Sequence, residues 1–165
     1  MMGVFVVGIV AAFTAPEAGL ADVQSALGSF QRLAAAVSTE KPGASVVEKA
    51  EYSARKAELE ALLTYLRKVQ EVTAIGKWDA SYSHNMILVA QQAVTAGKAL
   101  AVLPEEELCW DRAGLNFTAV HRFTVAQQVQ AGVLPAKALD QADAAYERAR
   151  REYRRTLARL VENAR

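Results

Sequence analysis

Along most of the chain, apolar positions recur at three- and four-residue intervals, the period of a helix with one buried face. The last third shows it best. Leu139, Ala142, Tyr146, Ala149, Tyr153 and Leu160 form one stripe, and Arg148, Arg151, Glu152 and Arg155 lie off it. The stretch before it opens with Leu103-Pro104-Glu105-Glu106-Glu107, a strong helix start, because proline fits a first turn and acidic groups suit the positive end of the helix dipole. That helix is expected to reach Gln130 or Ala131, with Leu108, Leu115, Ala119, Val120, Phe123, Ala126 and Val129 available for packing. Between the two runs, Gly132 permits a left-handed backbone and Pro135 can open the returning helix, so a long antiparallel hairpin is predicted.

Further upstream, Val23, Leu27, Phe30, Leu33 and Ala34 predict a helix from Asp22 to Val37, with Asp22 as its N-cap. The segment from Ser38 to Ala44 contains Pro42-Gly43 and reads as a loop. Ser45 and Glu48 stand in the capping-box relation ahead of a helix to about Val72. Tyr52, Leu59, Leu62, Leu66 and Val69 give that helix a heptad-like seam, interrupted by Arg55.

One stretch changes period. From Trp78 to Ala90, Trp78, Ala80, Tyr82, His84, Met86, Leu88 and Ala90 alternate with Asp79, Ser81, Ser83 and Asn85, which is a strand pattern. A strand there needs a partner sheet, a membrane or another subunit. The competing reading is one helix from Asp79 to Val102 that buries Met86, Val89, Ala93 and Leu100, and Gln91 to Leu103 reads either as helix with Gly97 as a defect or as a return strand. The expected fold class is mainly α, with long antiparallel helical hairpins in a coiled-coil-like bundle and an optional short strand segment near residues 78–90.

Composition strengthens the helical reading. Apolar residues make up 52% of the 165, much of that alanine, and only 7% are aromatic. Small side chains let helix axes approach closely. The length suits one domain. Before it, the apolar run from Val4 to Phe13 and the small residues ending at Ala21 resemble a signal-peptide core and cleavage region, although Met1-Met2-Gly3 lacks a basic residue. Residues 1–21 are therefore expected to be a signal peptide or an N-terminal apolar segment, and 22–165 the helical domain. The run is shorter than the roughly 20 residues that cross a bilayer.

The charge and the reactive side chains narrow the chemistry. A net charge of +1, from 19 basic and 18 acidic residues, removes the broad electrostatic case for nucleic-acid binding. The arginines after Arg148 are interleaved with glutamates and suit a solvated helix face. Cys109 is the single cysteine and has no disulfide partner within the chain. His84, Cys109 and His121 lack metal-ligand spacing and read as a strand histidine, a core thiol and a surface histidine. Dispersed glycines form no phosphate loop, and no Glu-x-x-His pair marks a di-iron bundle. No catalytic residue, cofactor or metal is expected.

The segment Ala126-Gln127-Gln128-Val129-Gln130-Ala131-Gly132-Val133-Leu134-Pro135-Ala136-Lys137-Ala138-Leu139-Asp140-Gln141-Ala142, continuing through Tyr146, Ala149 and Tyr153, resembles the last helical hairpin of TolC-like outer-membrane efflux proteins. That family commonly shows an Arg-Tyr-x-x-Gly-Leu-x-Ser turn; here Gln128 and Val129 stand at the Arg-Tyr positions and Pro135 at the Ser. The resemblance implies an oligomeric duct component that conducts small molecules passively. It also implies an adaptor-contacting tip at Gly132, Val133, Leu134 and Pro135, and partners in a periplasmic adaptor protein and an inner-membrane pump. Its destination would be the cell envelope, in the periplasm or outer membrane, with membrane association through the strand segment. The alternative is a soluble, cytoplasmic helical-bundle protein that homo-oligomerises or binds a partner through apolar helix faces.

Overall fold

Five α-helices follow one another through short connections in the computed structural model, which describes residues 16–37, 43–74 and 80–164 of the chain. They are α1 (Pro16–Ala36), α2 (Val46–Ala74), α3 (Ala80–Leu100), α4 (Pro104–Gln130) and α5 (Ala136–Asn163). The protein is mainly α, and the described residues contain no strand. Helix α1 packs on α2, α2 on α3, α3 on α4, and α4 back on α1, which closes a four-helix ring. Helix α5 packs on α4 from outside it.

Aromatic side chains fill the ring. Phe30 of α1 lies 5.8 Å from the Trp110 ring and 5.3 Å from the Phe117 ring of α4, and all three are buried. Leu59, Leu63 and Leu66 of α2 and Met86, Ala90 and Ala93 of α3 complete the core. Burying a side chain of this size contributes about 1.5–3 kcal/mol, several times the typical helix-propensity difference between two residues other than glycine and proline. Packing therefore decides which faces turn inward. Trp110 was not among the packing positions expected for α4, and Ala119, which was, is exposed.

The strand reading of residues 78–90 is overturned from Ala80 onward. Met86, Ile87, Ala90, Ala93, Ala96 and Leu100 are buried at helical intervals, and that longer pattern absorbs the two-residue alternation. Trp78 and Asp79 lie outside the described residues. Gly97 is no defect either. A Cβ there would sit 2.3 Å from the Trp110 indole, so the missing side chain is the slot that lets α4 place its tryptophan against α3. Trp110 Nε1 has no hydrogen-bond partner among the described residues.

Helix ends follow local chemistry. Ser45 Oγ accepts from Glu48 N at 3.3 Å and Glu48 Oε2 accepts from Ser45 N at 2.8 Å, the expected capping box. Glu106 Oε2 accepts from Val102 N at 2.7 Å ahead of α4. Helix α2 buries Leu63 in preference to Leu62, which is half-buried, and Tyr52 is half-buried with its hydroxyl donating to Val37 O at 2.8 Å. Helix α1 begins at Pro16, so Asp22 lies within it and does not cap it. The apolar run from Val4 to Phe13 lies outside the described residues, whereas Ala21 falls inside α1. Among the described residues no helix is long and apolar enough to cross a membrane.

Candidate functional site

The α4–α5 hairpin turns through Gly132 at φ +73. Val133 N donates to Gln128 O at 2.8 Å and Gly132 N to Val129 O at 3.0 Å, the paired bonds of a Schellman cap. Pro135 then caps α5, whose first helical residue is Ala136. Three side-chain pairs set the antiparallel register. Arg122 meets Asp143 near the turn, Thr156 donates to Asp111 further along, and Arg159 meets Glu107 near the far end. Of the expected stripe on α5, Ala142 is buried, and Leu139, Tyr146, Ala149, Tyr153 and Leu160 are half-buried. The Arg122 guanidinium also lies 5.5 Å from the centre of the Tyr146 ring.

Helix α3 flanks α4 on the other side, held there by Lys98. Its ammonium donates to Asp111 Oδ1 at 2.8 Å and sits 3.5 Å from Glu107 Oε1. Burial alone pulls the Lys98 pKa down, but the hydrogen bond and charge of Asp111, followed by Glu107, outweigh it and raise it above 10.5. Asp111, only 4% exposed, thus ties α3 and α5 to one point of α4.

Between α3 and α5 runs a groove floored by α4, in two adjoining hollows. The one beside Asp111 and Thr118 measures about 310 Å³, and the one beside His121 and Val125, next to the hairpin turn, about 570 Å³. They share Ile87, Gln91, Ala145 and Arg148, so they form one trough. Small residues line much of it, with Ala90 and Val94 on one wall and Ala145 and Ala149 on the other. At the turn end the lining gains Leu88, Leu134, Pro135 and Ala138 as apolar surface, and His84 and Lys137 join the shared Arg148 as basic side chains. Neither Lys137 nor Arg148 forms an ion pair with a described residue.

The placement of the reactive side chains differs from the sequence reading. His84 is an exposed residue of a helix, Cys109 is exposed, and His121 is buried at 7% exposure. Burial pushes the His121 pKa from 6.5 to about 4, with the charge of His84 acting in the same direction. The two histidines line one hollow, a proximity that their separation of 37 positions in sequence hid. Among the described residues no group of three or more His, Cys, Asp or Glu side chains is arranged to hold a metal ion. The expected tip residues cluster at the turn: Gly132, Val133 and Pro135 are exposed and Leu134 is half-buried. Leu134 and Pro135 also close the end of the groove. Compared with known proteins, the chain matches no family model, no curated protein and no solved structure.

Proposed function

We propose that this chain is a non-enzymatic helical interaction protein that receives one helix of a partner protein in the groove between α3 and α5. The observation carrying this reading is the trough itself, where two parallel walls of small and apolar side chains stand over α4. From His84 to Lys98 the α3 wall rises over about 21 Å, or roughly four turns of a docked helix. Alanines along both walls allow axes to approach closely, and amphipathic helices commonly bind such grooves by their apolar face. The reading needs no cofactor and no covalent chemistry.

The test is fluorescence anisotropy of a labelled Leu/Ala amphipathic peptide of about four turns titrated with the full chain. Two plugged variants, Ala149→Trp and Gln91→Trp, serve as comparison, each checked for helix content and melting temperature. Saturable binding that both folded plugs abolish supports the reading. No binding, or equal binding by a folded plugged protein, overturns it.

The exposed hairpin tip favours a second reading, the TolC-like envelope duct component with Gly132, Val133, Leu134 and Pro135 meeting a periplasmic adaptor. It ranks below the first because residues 80–90, on which its barrel contribution rested, lie in α3. Recovery of a processed chain in the envelope, crosslinked to an adaptor through Val133, would reverse that ranking.

A further inference from the structure

Resting on the helix-binding reading, we infer that the partner helix is acidic, with its carboxylates clustered at the end that lies beside the α4–α5 turn. The two ends of the groove differ in charge. At the Asp111 end the lining is balanced, since Lys98 is bound by Asp111 and Glu107, and Glu152 pairs with Arg155. Among the described residues, the hollow at the turn end has no carboxylate in its lining, while Lys137, Arg148 and His84 border it.

The backbone adds to that field. The first turn of α5, a helix of 28 residues, forms part of the same wall through Pro135, Lys137 and Ala138, so the positive end of its helix dipole lies beside the cationic side chains. Arg148 sits where both hollows meet and can reach a carboxylate from either direction along the trough. An occupant of uniform charge would leave the balanced end unmatched. A helix with glutamates at one end and a small apolar seam along the rest satisfies both.

Three probes of equal length and seam test this, differing only in the residues flanking one end: Glu, Gln or Lys. Each is titrated by fluorescence anisotropy into the full chain and into a Lys137→Glu/Arg148→Glu variant checked for native melting. The Glu probe should bind about ten-fold more tightly than the Gln probe and the Lys probe more weakly than either, consistent with two partly exposed charge pairs. The order should reverse on the variant, and added salt should narrow it. Equal binding of all three, or a preference for Lys, overturns the acidic partner and leaves the groove reading standing. Binding of none overturns both. Light scattering of the chain alone is the remaining arm: a dimer that the Glu probe dissociates would assign the groove to a second copy of this chain and overturn the inference.

Discussion

Thr156 Oγ1 donates to Asp111 Oδ2 at 2.6 Å across 45 positions of sequence, and both side chains are buried. Helix α5 fully buries few other groups, Ala142 and Ala145 among them, so this bond and the half-buried stripe carry much of its attachment. Thr156→Val keeps the shape and removes the donor. It should lower stability by about 1–3 kcal/mol, read as a shift in urea midpoint, while Thr156→Ser should retain most of it. A Thr156→Val protein as stable as the parent would show that the bond does not hold α5.

Gly97 faces the Trp110 indole, which cannot move aside inside a filled core. Gly97→Ala would gain up to about 1 kcal/mol of helix propensity. Overpacking against the ring outweighs it, and a net loss of about 1–3 kcal/mol is expected by chemical denaturation. A stabilised Gly97→Ala protein would mean that α3 and α4 are not so close.

At the hairpin turn, the positive φ of Gly132 is the conformation that a side chain resists. Gly132→Ala should cost about 1–2 kcal/mol. Gly43 has a comparable φ of 76 in the loop before α2, so Gly43→Ala should show a similar loss, and the two should add because an added Cβ at either position meets no neighbour within 4 Å. Thermal melts of both single variants and the double variant check this.

His121 stays neutral in the fold down to about pH 4, whereas in the unfolded chain it titrates near 6.5. Between these values the unfolded state binds more protons, so the contribution of neutral His121 is fully present above pH 6.5 and is lost as pH drops towards 4. The loss should not exceed about 3 kcal/mol. Urea midpoints across that window should fall less for His121→Gln than for the parent. Parallel slopes would place the acid sensitivity elsewhere.

Helix starts were legible where the cap is local: Ser45 with Glu48, Pro104 with its glutamates, and the Gly132 break each need only neighbouring residues. The α3 helix was harder, since residues 78–90 satisfy a two-residue period and only the positions beyond Ala90 decide for a helix. Gly97 looked like a weakness because its reason, Trp110, lies 13 positions away on another helix. The groove was not legible at all. His84, His121, Lys137 and Arg148 meet only when α3 and α5 flank α4, and no spacing within one helix encodes that meeting.

The measurement closest to the central claim is hydrogen–deuterium exchange of the full chain with and without the Glu-flanked probe. The account predicts added protection in α3 from His84 to Lys98 and in α5 from Gln141 to Glu152, with α1 and α2 unchanged. Protection confined to α1 and α2, or to the exposed Val133 tip alone, would contradict it.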